Sequence, residues 1–137
     1  MSETAPIHVQ GRYRLTTEIE FAAAHQLHGY TGNCARLHGH NWKIVVEVTG
    51  YKLDSVGMVV DFRAIKQQAR AVAKRLDHRF LNELAPFDQQ NPTAEHIAAY
   101  FYQQLSAQFD CPDYHISAIT TWENDRSAVR FEPLASA

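Results

Sequence analysis

Cysteine is scarce in this chain, with two in 137 residues. That is too few for a disulfide framework, and a reducing, cytoplasmic setting is the expectation. Charge of one sign is not in excess either. Thirteen Lys and Arg stand against fifteen Asp and Glu, a formal net charge of −2, which gives no electrostatic ground for nucleic acid or an anionic membrane as partner. No apolar run approaches the roughly 18–20 residues of a membrane span, and the N-terminal residues show no signal-peptide core. Glycine and proline are sparse, six and five residues, and no internal repeat, low-complexity tract or interdomain linker appears. The length fits one domain of roughly 100–200 residues, and 45% apolar residues suffice for one core. Residues 1–12 read as a disordered or extended terminal segment and 13–137 as a single domain. Histidine is what the chain has in plenty: eight, four of them between His25 and His40.

From Tyr13 the odd positions Leu15, Ile19, Phe21 and Ala23 are apolar, while Arg14, Thr16, Glu18 and Glu20 are polar. Period two predicts a half-buried strand whose inner register ends on His25. A second alternation places His38, His40, Trp42, Ile44, Val46 and Val48 on one face. Paired antiparallel, the two strands bring His25, His38 and His40 to one end of a hairpin. Phe62, Ile65, Ala69, Val72, Ala73 and Leu76 sit at helical spacing, with Asp61 as N-cap. The stretch Asp77–Phe87 breaks the pattern. A second helix is announced by Asn91-Pro92-Thr93, with Thr93 as cap, Glu95 in the first turn and Pro112 as terminator. Strands His115–Glu123 and Ala128–Glu132 follow, turning at Asn124-Asp125. The order β-β-α-α-β-β predicts an α+β fold, an antiparallel sheet with two helices on one face.

Residues i and i+2 of a strand share a face, so His38 and His40 can hold one ion. With His25 they offer three imidazoles, a set that suits zinc with one position left for water or substrate. His8, His28, His96 and His115 stand alone and read as solvated. Cys34, four residues before His38, has two readings: a fourth ligand closing a structural site, or a thiol of lowered pKa acting as base or nucleophile. Cys111 reads as a packed thiol. Asp77-His78 pairs a carboxylate with an imidazole, the composition of a proton carrier or of a plain surface dipeptide, and Glu123 ends an apolar strand where a carboxylate either accepts from a ligand or faces water.

The segments Phe21-Ala22-Ala23-Ala24-His25, Cys34-x-x-Leu37-His38-Gly39-His40-Asn41 and Gly57-Met58-Val59-Val60-Asp61-Phe62 carry a resemblance. So do Leu76-Asp77-His78-Arg79-Phe80-Leu81-Asn82, Asn91-Pro92-Thr93-Ala94-Glu95 and Trp122-Glu123. In this order, over residues 13–132, the chain resembles the 6-pyruvoyl-tetrahydropterin synthase family. The short gap between Cys34 and His38 is similar to its bacterial branch, the 6-carboxy-tetrahydropterin synthases of queuosine biosynthesis. The resemblance implies the tunnelling fold and a cytoplasmic homohexamer, a dimer of trimers with active sites at subunit interfaces. It implies one Zn2+ per subunit on His25, His38 and His40, with Cys34, Asp77 and His78 as catalytic residues. Glu123, with Thr93 and Glu95, would bind the pterin. The implied reaction converts 7,8-dihydroneopterin triphosphate to 6-carboxytetrahydropterin, releasing acetaldehyde and triphosphate. The chain departs from the family at His96, where Asn is usual, at Asn33, where Lys often precedes the cysteine, and at Asn124, where Thr often follows the glutamate. None of these is a metal-ligand or catalytic position.

Three rivals stand beside this reading. A pyruvoyl synthase would stop before carbon–carbon cleavage. A non-catalytic zinc- or pterin-binding protein would use Cys34 as fourth ligand. A cupin-like oxygenase would add Glu47 to His38 and His40, although Glu47 falls on the opposite strand face. The triphosphate has four candidate partners in Arg12, Arg14, Lys43 and Arg126.

Overall fold

The two runs that end in histidine form β1 (Tyr13–His25) and β2 (His38–Gly50). They pair antiparallel over their full length, from Tyr13↔Gly50 to His25↔His38. This register sets Ile19 opposite Ile44 and Phe21 opposite Trp42. The side chains that alternate inward therefore meet, and Trp42, Ile44, Val46 and Val48 are fully buried. The computed structural model describes residues 5–29 and 35–135.

Helix α1 (Phe62–Lys74) starts at Asp61, whose carboxylate accepts from the Arg63 N–H at 2.8 Å. Helix α2 (Ala94–Phe109) starts at Thr93, whose hydroxyl accepts from the His96 N–H at 3.1 Å. Their apolar stripes, Ile65, Ala69, Val72 and Ala73 on α1 and Ile97, Phe101 and Leu105 on α2, join the strands in one core. Each fully buried Val, Leu, Ile or Phe side chain stabilises the fold by about 1.5–3 kcal/mol. Phe62, expected in the first stripe, is 53% exposed. It lies on the helix's first turn, before the stripe reaches the sheet. Among the described residues no helix is long and apolar enough to cross a membrane.

The segment after α1 holds the main departure from the expected all-antiparallel sheet. Arg79–Phe80 forms β3, a two-residue strand parallel to Ala23 and Ala24 of β1, followed by a short 3-10 helix at Leu81–Glu83. β4 (Tyr114–Asn124) pairs with the other side of β2, and β5 (Ser127–Phe131) closes the order β3-β1-β2-β4-β5. The turn between β4 and β5 falls on Asp125-Arg126, one residue later than expected, because the Asn124 side chain accepts from the Arg126 N–H at 2.8 Å. Cys111 is exposed rather than packed. It follows the α2 C-cap in a turn where its N–H donates to the Tyr114 carbonyl at 2.9 Å. Gly50 ends β2 against the Asp113–Tyr114 backbone, where a Cβ would meet Val59 Cγ1 at 2.7 Å and Asp113 O at 3.0 Å.

Candidate metal centre

Pairing of β1 with β2 assembles the centre. His25 faces His38, and His40 faces Ala23 two residues along, so the three rings share the face that holds Trp42. Ring centroids lie 4.5 Å apart for His25–His38, 4.7 Å for His38–His40 and 5.1 Å for His25–His40. The Trp42 indole sits edge-on beneath His25 and His40, at 5.0 and 5.2 Å. Its N–H donates to the Ala23 carbonyl at 3.3 Å.

Two backbone carbonyls fix the tautomers. A carbonyl only accepts, so His25 Nδ1–H donates to Pro92 O at 2.7 Å and His38 Nδ1–H donates to Arg36 O at 2.6 Å. Both Nε2 atoms then present lone pairs, and they approach to 3.0 Å. Burial is the main force holding the His25 imidazole below its ordinary 6.5, with the rings of His38 and His40 acting in the same direction. Burial also lowers His40, against the opposing charge of Glu123. Neutral rings are the ligand-competent form.

The Glu123 carboxylate joins this cluster. Its Oε1 lies 3.4 Å from His25 Nε2 and 3.2 Å from His40 Nε2, and one ligand atom from each of the four residues falls within 4.8 Å of the others. His40 Nε2 is buried with no hydrogen-bond partner. Acceptors crowded on acceptors repel unless a cation lies among them. Zinc bonds of about 2.0–2.1 Å at tetrahedral angles place neighbouring donors about 3.3–3.4 Å apart. The observed 3.0–3.4 Å spacings fit a metal of that size.

Thr93 and Glu95, expected near the pterin, line a cavity of about 270 Å³ with His25, Glu123, Ser127 and Val129. The Thr93 hydroxyl also serves as the α2 cap. Asp77 and His78 form their expected pair, Asp77 Oδ1 to His78 Nδ1 at 3.1 Å, but stand outside the four-residue cluster. They are locked to β1. The Ala22 N–H donates to Asp77 Oδ1 at 2.9 Å and the Ala22 carbonyl accepts from the His78 N–H at 2.6 Å. That backbone donor is the main reason the Asp77 carboxyl lies below its ordinary range, with His78 adding to it. His78 takes a left-handed φ of 58°, and its side chain is 82% exposed. It edges a groove shared with His40, Ala22 and Phe80.

Cys34 and Asn33 lie outside the described residues. Glu47 does not reach the centre: it binds Ser117 Oγ at 2.9 Å and Arg130 Nη2 at 3.1 Å on the far face of the sheet, which removes the cupin-like reading. Arg12 and Arg14 lie at the end of β1 opposite His25, and Lys43 stacks 5.1 Å over the Trp122 ring. His96 donates from Nδ1 to the Asn91 carbonyl at 2.6 Å.

The motif stretches read only as a pattern break and a helix start supply further positioning residues. The Asn82 side chain accepts from the Gln26 N–H at 2.9 Å and donates to the Gln26 carbonyl at 2.8 Å. Asn91 does the same for His28, at 2.9 and 2.7 Å. Two side-chain amides thus stand in for a neighbouring strand and hold the backbone leaving His25.

A model of the 6-pyruvoyl tetrahydropterin synthase family matches residues 14–133. The chain is 35% identical over 119 residues to a Synechocystis protein named 6-carboxy-5,6,7,8-tetrahydropterin synthase, covering 83% of this chain and 88% of that one. A Bacillus subtilis protein of the same name is 31% identical over 103 residues, covering 72% of this chain and 68% of that one. Among solved structures, 6-pyruvoyl tetrahydropterin synthase from Caenorhabditis elegans superposes with a TM-score of 0.79 at 23% identity, covering 93% of this chain and 99% of that one. That likeness bears on the fold.

Proposed function

The chain belongs to the 6-pyruvoyl tetrahydropterin synthase family, and within it we propose that it is a zinc-dependent 6-carboxy-5,6,7,8-tetrahydropterin synthase. Its substrates are 7,8-dihydroneopterin triphosphate and one water, which the carbon–carbon cleavage consumes, and its products are 6-carboxytetrahydropterin, acetaldehyde and triphosphate. The observation that carries the reading is the set of three imidazoles whose ring nitrogens converge beside a cavity lined by a carboxylate. Relatives bearing the carboxy-synthase name favour it over a pyruvoyl synthase.

His25, His38 and His40 would hold the metal, which when bound supplies Lewis acidity toward the substrate's side-chain oxygens. Glu123 accepts N–H bonds from the pterin's amino-pyrimidine edge, with Thr93 and Glu95 shaping the same cavity. Cys34, as thiolate, removes a carbon-bound proton from the substituent at the pterin's 6-position. His78, oriented by Asp77, carries a second proton, and triphosphate leaves by elimination. Each acid–base group contributes about 10²–10⁴-fold. A reducing cytoplasm suits the free thiol, and the product suits 7-deazapurine synthesis for queuosine in tRNA.

The catalytic pair projects from the β1 edge, outside the histidine–glutamate cluster of the same subunit. Beyond the two residues paired with β3, the outer edge of β1 has no partner strand among the described residues. Open edges of this length favour closure with further copies, here a hexamer of two trimers with sites between subunits.

The test is incubation with dihydroneopterin triphosphate and identification of both products. Acetaldehyde with a 6-carboxy pterin is expected, whereas a 6-pyruvoyl pterin without acetaldehyde assigns the pyruvoyl activity instead. Cys34→Ala should keep stoichiometric zinc and lose turnover. Loss of zinc in that variant favours the non-catalytic reading in which Cys34 is a ligand.

A further inference from the structure

Glu123 does more in this structure than line a substrate cavity. Thr121 is fully buried on the inner face, so strand alternation sends Glu123 to the same face as the three histidines. In the β4–β5 pairing Trp122 faces Ala128 and Asn124 faces Ser127, leaving Glu123 as the unpaired residue of a bulge. Bulges next to sites re-aim side chains, and this one points a carboxylate at the histidine cluster. Oε1 approaches two imidazole nitrogens at 3.2 and 3.4 Å. One carries a lone pair because its ring gives its proton to Pro92, and the other hydrogen-bonds to nothing. A carboxylate oxygen facing such atoms is stabilised by a shared cation. The same residue borders the Thr93–Glu95 cavity and remains 30% exposed, so its torsions have room to turn.

We propose that Glu123 is the fourth protein donor of the resting metal centre, and that a pterin head offering paired N–H groups draws the carboxylate off and opens that position. This rests on the reading of His25, His38 and His40 as a metal site and of the adjoining cavity as the site for the head. One carboxylate then serves two partners in turn. A ligand that lacks the N–H edge leaves the position closed, so recognition of the head gates access of the substituent's oxygens. By linkage, a head without that substituent weakens metal retention by the factor by which metal weakens its own binding.

The experiment uses the full-length protein loaded with Co2+, whose visible spectrum reports its donors, and compares the wild type with Glu123→Gln. The probe ligand is a pterin unsubstituted at the 6-position. Wild type should retain Co2+ against a competing chelator more tightly than the variant by at least about 10–100-fold, the loss usual for groups that only hydrogen-bond to a ligand. The unliganded spectra should differ, and the pterin should move the wild-type spectrum toward that of Glu123→Gln. Equal retention with superimposable spectra would overturn the proposal and leave the three-histidine centre standing. Failure of both proteins to take up Co2+ would overturn the proposal and the metal reading together. Matching far-UV circular dichroism confirms that both proteins are folded.

Discussion

Replacing His78 by glycine should stabilise the fold relative to replacing it by alanine, while both variants lose turnover. The residue sits at φ 58°, a conformation that costs an L-residue about 1–2 kcal/mol. Its N–H bond to the Ala22 carbonyl and the Asp77 bond to the Ala22 N–H hold it there. Alanine keeps the left-handed backbone and its cost. Glycine removes that cost and loses about 0.5–1 kcal/mol to its freer unfolded state. The imidazole–Asp77 contact disappears in both, so the comparison isolates the backbone. Glycine should come out ahead by about 1 kcal/mol, or on the order of 3–5 °C in melting temperature for a protein of this size. Thermal unfolding of the three proteins at one concentration measures it, and product assays should show about a 10²–10⁴-fold loss for each variant. An alanine variant as stable as the glycine one would refute the claim that strain is stored at this position.

Acidification should destabilise the metal-free protein. His25 titrates lower in the fold than its ordinary 6.5, so between those values the unfolded state binds more protons. Stability therefore falls as pH drops through about 6.5 and is unaffected by this group above about 7.5. Urea midpoints from pH 5 to 8 with chelator present would show it, with a shallower slope in His25→Gln. Thr121→Val should gain on the order of 1 kcal/mol, because the Thr121 hydroxyl is fully buried without a partner; a lower denaturation midpoint would count against this. Gly50→Ala should lose about 1–3 kcal/mol through overpacking against Val59 and the Asp113 carbonyl, read from the same denaturation curves.

The hairpin and its three histidines were legible because period two is a local signal and antiparallel pairing of neighbouring runs leaves little choice of register. Asp61 and Thr93 were legible for the same reason: a helix cap acts within three residues. What escaped involves distant partners. β3 is two residues long, and only its parallel contact with Ala23 and Ala24 makes it a strand. The pairing of Asn82 with Gln26 spans 56 positions of sequence, and no periodicity announces it. Glu123 could be read as a carboxylate in need of a partner, yet its approach to His25 and His40 depends on a bulge that no local pattern marks. Phe62 and Cys111 escape the core expected of them because helical spacing and apolar character say which side chains suit a core, not where the core ends.

The double anchoring of Ala22 has a mechanical consequence. Three residue steps of extended backbone, through Ala23 and Ala24, carry it to His25, about 10 Å of strand, and an extended strand is stiff along its length. Asp77 and His78 are fastened to one mark on that ruler and the His25 ring to another. The gap within one chain between the Asp77–His78 pair and the imidazole triad is therefore a fixed dimension of the hairpin, one that movement along the strand cannot change.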